Sequence, residues 1–157
     1  MSIRCLPARR LAVLHNVGPY SGSTVFAKLL RAAQAQGLRC QPIFGLSYDD
    51  PALVPSKDLR SAVGVEIGNA TPLSAPLELL EIPATRFATF AYRGPNERLG
   101  LAYDWVFGQW LPASGESPAN QPALSIYYDS PQNTAPENLR TDICIPLLER
   151  TPHARKA

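Results

Sequence analysis

Histidine and cysteine are scarce in this chain, and the shortage removes whole classes of chemistry. The 157 residues hold only His15, His153, Cys5, Cys40 and Cys144 of these two types. An odd, widely spaced cysteine set makes a poor disulfide framework, and none of the three forms a C-x-x-C pair. They read as buried reduced thiols in a cytoplasmic protein. A zinc site or a histidine-based triad has little material, so the expected metals and cofactors are none. His15 has no Ser, Cys or acid beside it in sequence and reads as a satisfied or exposed histidine rather than a base. A haem would need axial ligands from these same residues, and no spacing supports one. Charge of one sign is also missing. With 15 basic and 13 acidic residues, the net charge of +2 gives no reason to expect nucleic-acid or membrane binding. The apolar run Leu11–Leu14 is too short for a signal peptide, and no stretch approaches the roughly 18 apolar residues of a membrane span.

What is present is repetition. "PARRLAVLHNVGP" from Pro7 returns as "PATRFATFAYRGP" from Pro83, at an offset of 76. Arg10 and Ala12 match Arg86 and Ala88, and Gly18-Pro19 matches Gly94-Pro95. A second block, "YDDPALVPSKDLR" from Tyr48, returns as "YDSPQNTAPENLR" from Tyr128, at an offset of 80. The four extra residues fall naturally in the loop Pro112–Pro122. A period near 80 is too long for a solenoid and reads as one duplicated unit. With 45% hydrophobic residues the chain can build a packed core, though one such unit alone is marginal.

Each copy parses as strand–helix–strand–strand. In the first copy, Arg10–Val17 is a strand closed by Gly18-Pro19. Ser21 or Ser23 caps a helix with Val25, Phe26, Leu29, Leu30 and Ala33 at helical spacing, and Gly37 stops it. Pro42–Tyr48 and Leu59–Ile67 are strands. In the second copy Leu77–Ile82 and Arg86–Arg93 are strands broken at Pro83. Asn96–Leu111 is a helix with the stripe Leu99, Tyr103, Val106 and Trp110, and Ala123–Tyr128 and Leu139–Leu147 are strands. The expectation is an α+β fold built from a duplicated unit with pseudo-twofold symmetry: antiparallel sheets, two helices and a cleft between the halves. It is one domain over 1–150, with repeat one about 3–68, a linker 69–76, repeat two about 77–147, and a flexible tail 151–157. A seam of this kind is where a ligand pocket is expected.

The ordered set "ARRLAVLHNVGPY", "YDDP…DLR", "LELLEIPATRFATFAYRGP", "WLPASG" and "IYYDSP…PENLRTDICIPL" resembles the GyrI-like domain family. That family covers the DNA gyrase inhibitory protein and the effector-binding domains of AraC-type and MerR-type drug-responsive regulators. The resemblance runs from Ile3 to Leu147. It implies two halves enclosing a cleft for small, often aromatic or cationic, molecules. Relatives often carry a DNA-binding module in front. The first repeat here begins at about Ile3, so a free-standing member is expected, acting as a ligand sink or sensor without direct nucleic-acid contact, as a monomer or weak homodimer.

Where many relatives place a cleft glutamate, the matching position here is Ser125. Asp142 is the next acid to consider, as a cleft group or as a partner for Arg140 or Arg60. Strand alternation puts Ser125 with Tyr127, and Asp142 with Cys144. Tyr127 is the better ligand candidate, because Tyr128 matches Tyr48 and the pair looks structural. Tyr103, Trp105 and Trp110 complete the candidate ligand set, each with core packing as the plainer alternative. The pairs Asp49 with Arg60 and Asp129 with Arg140 read as architecture. Glu66 and Glu81 read as solvated strand acids. No catalytic residue is assigned. The expected function is binding of an aromatic, possibly cationic, small molecule. The alternatives are hydrolysis of cyclopropane-type electrophiles, for which the lost acid at Ser125 is a poor start, and protein inhibition of DNA gyrase.

Overall fold

The computed structural model describes residues 1–19, 24–50, 53–131 and 133–149. The expected caps Ser21 and Ser23 and the tail 151–157 lie outside these residues. The strands are β1 Ser2–Leu6, β2 Arg9–Val17, β3 Ile43–Ser47, β4 Arg60–Glu66, β5 Glu78–Ile82, β6 Thr85–Arg93, β7 Ala123–Tyr127 and β8 Arg140–Leu147. Helix α1 spans Val25–Ala35. Helix α2, Leu99–Trp105, runs on through a π-helical turn, Val106–Trp110, into the short α3, Leu111–Ser114.

All eight strands form one antiparallel sheet in the order β1-β6-β8-β7-β3-β4-β2-β5. When each strand is exchanged for its counterpart in the other half, the same order is read from the opposite edge. The registers agree as well. Leu11↔Glu66 and Val17↔Arg60 in β2/β4 become Phe87↔Pro146 and Arg93↔Arg140 in β6/β8, shifted by the offsets of 76 and 80 read in the sequence. Across β3/β7, Gly45 faces Ser125, its own counterpart, so the pseudo-twofold axis passes between these two residues. The edge strands are exchanged: β1 pairs with β6 of the second half, and β5 with β2 of the first. Each half therefore has a leading strand. In the first half this is Ser2–Leu6, which the strand–helix–strand–strand reading did not include.

Alternation divides the sheet into two faces. Both helices lie on one. Val25, Leu29 and Ala33 of α1 recur every fourth residue and pack on Ala12, Val63 and Val65. Leu99, Ala102 and Val106 pack on Ala88, Ile143 and Ile145. Helix α1 ends where Gly37 takes φ +70°, with Leu38 N–H donating to Ala33 O at 2.9 Å, a Schellman closure that buries Leu38 against the same cluster. In the second helix Pro112 has no N–H to offer the Gly108 carbonyl four residues back, and the π turn falls at this break in the ladder.

The other face carries no helix among the described residues, yet Leu11, Val13, Phe44 and Leu124 on it are 0–2% exposed. Strands about 4.8 Å apart would leave such a face bare if flat. Its burial, in a cluster that draws residues from every strand, means that the sheet curls on itself.

The repeated polar motif closes each half the same way. Asp49 accepts from the backbone N–H of Arg60 at 2.7 Å, and Asp129 from that of Arg140 at 2.9 Å, while each guanidinium grips the same carboxylate. The arginine hydrogen bonds hold both carboxyls below the usual range. Gly18 and Gly94, at φ +135° and +148°, donate to the carbonyls of Leu59 and Leu139. No helix among the described residues is long and apolar enough to cross a membrane.

Candidate functional site

The pseudo-twofold axis leaves the sheet on its helix-bearing face, at Gly45 and Ser125, between α1 and α2. There the two copies differ. Tyr127 crosses the seam and lies over Gly45: a Cβ placed on that glycine would sit 3.1 Å from the Tyr127 ring. The Tyr127 counterpart is Ser47, too short to cross back. The hydroxyl of Tyr103 on α2 comes down to hydrogen-bond the Ser125 hydroxyl instead. Phe26 on α1 meets the Tyr127 ring edge-to-face at 5.9 Å. The short side chains of the first half leave a cavity of about 50 Å³ beside Tyr127, walled by Phe26 and Val25 and edged by Asn16, Ser47, Ser61 and Ser125.

The chemistry of this lining is neutral. It offers hydroxyls, one carboxamide and two aromatic rings, and no acidic or basic side chain is among its described residues. Burial pushes the Tyr127 phenol up, opposed in part by a hydrogen bond with Ser125. The pocket is therefore uncharged at any physiological pH. A buried cation here would lose hydration without a counter-ion, and cation–π contact of about 0.5–2 kcal/mol would not replace it.

Three of the six expected ligand residues meet here: Ser125 and Tyr127 on β7, and Tyr103 above them. Of these, Ser125 and Tyr127 line the cavity and Tyr103 bonds Ser125 from α2, while Asp142, Trp105 and Trp110 are not among the lining residues. Ser125 pairs with Ile143 across β7/β8, so Asp142 projects from the opposite, helix-free face. It is not a partner of Arg140 or Arg60, which hold Asp129 and Asp49. It accepts from the Tyr128 hydroxyl at 2.7 Å. Trp105 is 38% exposed and rests on Phe90 of β6, away from the seam. Trp110 is half-buried in the packing of α2 on the sheet. The residues not anticipated are Gly45, Ser47, Phe26, Asn16 and Ser61. One signal for them was in the sequence: a glycine and two small polar residues stand where the second repeat has Ser125, Tyr127 and Thr141.

The Tyr128–Asp142 contact carries a pH signature. Burial first, then Asp142, pushes the Tyr128 phenol up to about 12, and burial pushes the neighbouring Cys144 thiol from 9.0 to about 11. Above pH 9 the unfolded chain loses these protons before the folded chain does. The folded state then binds more protons, and stability falls as pH rises, until about 12. Urea midpoints should decline across this window. Tyr128→Phe should flatten the upper part of the decline; an unchanged slope would remove Tyr128 as its source.

Comparison with known proteins gives a consistent result. A model of the GyrI-like small molecule binding domain matches residues 1–148. YosT of Bacillus subtilis, an SPbeta prophage-derived protein named as a transcriptional regulator, is 26% identical over 113 residues, which is 69% of this chain and 76% of that one. Among solved structures, the EcmrR C-terminal domain superimposes with a TM-score of 0.74 at 17% identity, covering 95% of this chain and 97% of that one. SAV2435 bound to tetraphenylphosphonium gives 0.63 at 14% identity, with 98% of each chain covered. A hydrolase from Listeria innocua gives 0.60 at 12% identity, with 94% and 91% covered.

Proposed function

The chain belongs to the GyrI-like small-molecule-binding family, and from that premise we propose that it captures an uncharged aromatic compound between its two helices. One observation carries this reading. The pocket on the pseudo-twofold axis is walled by Phe26 and Tyr127 and floored by hydroxyl groups, with no charged side chain among its described residues. The rings supply stacking area, and the hydroxyls and Asn16 fix orientation. A cavity of 50 Å³ is far below the roughly 300 Å³ of an ordinary ligand pocket. Tyr127 is the piston: swinging off Gly45, it opens the seam and offers its ring to the guest. Capture with a ring rearrangement at the contact of α1 with the sheet suits a ligand sink or a sensor, in keeping with the similarity to YosT.

Hydrolysis of an electrophile would need a group to activate water. No carboxylate is available for that among the described lining residues, and Asp142 faces away. Binding without turnover is the reading these residues support.

Calorimetry with two probes of one ring system tests it: 2-naphthol, and the trimethyl(2-naphthyl)ammonium cation. The phenol should bind at least tenfold tighter. Ser47→Trp, which fills the cavity from the first half, should weaken it at least tenfold while the thermal midpoint holds. A cation that binds as well as the phenol, or a Ser47→Trp variant with unchanged affinity, would overturn the assignment.

A further inference from the structure

A second cavity, of about 500 Å³, lies at the opposite end of β2 and β4 from the first, lined by Arg9, Arg10, Glu66, Ile67, Asn69 and Glu81 among others. The second half of the molecule shows what such a place can hold. Arg86 is the counterpart of Arg10, and the pairing agrees: Arg10 O accepts from Ile67 N–H at 2.9 Å, and Arg86 is registered opposite Leu147, the counterpart of Ile67.

The Arg86 guanidinium is gripped through both terminal nitrogens by the loop that has four extra residues. Its two terminal nitrogens donate to the two Glu116 oxygens, both at 3.1 Å, and one of them also donates to Leu148 O at 2.9 Å. The Glu116 side chain is only 6% exposed. Behind it the loop lies along the end of β8, with Leu148 N–H donating to Ser117 O and Ala119 N–H to Pro146 O, both at 2.8 Å. The first half has no such loop. Arg10 reaches Glu81 through one nitrogen at 2.9 Å, and its Nε is buried with no hydrogen-bond partner among the described residues. Glu81 is 64% exposed, so this pair is open to exchange. Arg9 turns to the other face of β2, its guanidinium 5.1 Å over the Phe44 ring and 4.0 Å from Glu66.

We propose that the Arg9–Arg10 cavity is a second binding site, for a carboxylate that occupies the place Glu116 takes in the other half. A planar guanidinium held through one terminal nitrogen by an exposed carboxylate is better matched by a two-oxygen anion across both terminal nitrogens, as Glu116 grips Arg86. The apolar rim from Ile67, Ile82 and Pro83 suits an aliphatic stem behind that anion. Glu81 acts as the resident competitor, displaced when the guest binds. The carboxylate comes either from a free acid or from a glutamate in an extended segment of another protein.

Amide chemical shifts and titrated affinities test this with three probes: N-acetylglutamate, N-acetylglutamine, and a blocked peptide, Ser-Gly-Glu-Ser-Pro-Ala, copying residues 114–119. N-acetylglutamate should shift the amides of residues 9–11 and 66–67 and leave Gly45 unmoved, while N-acetylglutamine should do nothing. Arg10→Gln should weaken binding at least tenfold. Glu81→Gln should strengthen it severalfold, and decides the matter alone if Arg10→Gln does not fold. A peptide that outbinds the free acid assigns the site to a protein segment; the reverse assigns it to a small acid. Absent shifts, an amide probe that binds like the acid, or a Glu81→Gln variant with no gain would each overturn the proposal.

Discussion

Gly64→Ala should destabilise the protein by about 3 kcal/mol, a large share of a typical domain's margin. A Cβ on Gly64 would stand 2.6 Å from the Ala12 carbonyl oxygen and 2.6 Å from Val13 Cγ1. Neither obstacle is a free side-chain end. The first is backbone of β2, held between β4 and β5; the second belongs to a residue that is 0% exposed. Relief requires β2 and β4 to part, which breaks the centre of the first half-sheet. The counterpart position in the second half is Cys144, which sits opposite Thr89 with Sγ 3.7 Å from its Oγ1. One copy thus accepts a side chain where the other forbids it, so strand spacing differs between the halves. Thermal unfolding should show a midpoint lower by about 10 °C. Gly100→Ala is the control: it is exposed on α2 with nothing within 4 Å of the added Cβ, and should be neutral or stabilising by up to about 1 kcal/mol. Adding Val13→Ala should return part of the Gly64→Ala loss. A loss under about 1 kcal/mol would mean that β2 and β4 separate easily.

That asymmetry also bears on how far the fold could be read from residues alone. The offsets of 76 and 80 carried the pairing of halves down to individual registers, because repeated residues in repeated strands must meet repeated partners. Ser2–Leu6 was less visible. As an edge strand it has one neighbour, and four of its five residues are exposed, so no inward pattern marks it. The site was legible by half. Alternation could say that Ser125 travels with Tyr127 and Asp142 with Cys144. It could not say which pair shares the helices' face, since that depends on the register of β7 against β8, and the connection between them, residues 128–139, is too long to impose one. The π turn had a similar effect on the tryptophans, whose positions follow from a helix that is not uniformly 3.6 residues per turn. The cavity was least visible, since it is made by what Gly45 and Ser47 lack.

Ser125→Glu should convert the pocket to a cation site. Ser125 is 3% exposed, on the axis and under the Tyr103 hydroxyl, so a carboxylate there is surrounded by rings and nearly cut off from water. At an effective dielectric of about 20, attraction to a cation 4–5 Å away is about 3–4 kcal/mol; after desolvation a net gain of about 2 kcal/mol remains, roughly thirtyfold in affinity. Tetraphenylphosphonium, the ligand in the SAV2435 structure of similar fold, is a fitting probe. The empty variant should be less stable than the parent, because burial disfavours the ionised form and raises the carboxyl's pKa. Its affinity for the cation should therefore rise with pH through the range in which that carboxyl ionises, whereas the parent's stays flat. Bound cation should restore the thermal midpoint in proportion to its concentration. Ser125→Gln supplies the size without the charge and should gain nothing. A folded Ser125→Glu protein with no new cation affinity, or a glutamine variant that gains as much, would place the ligand somewhere other than the seam between the helices.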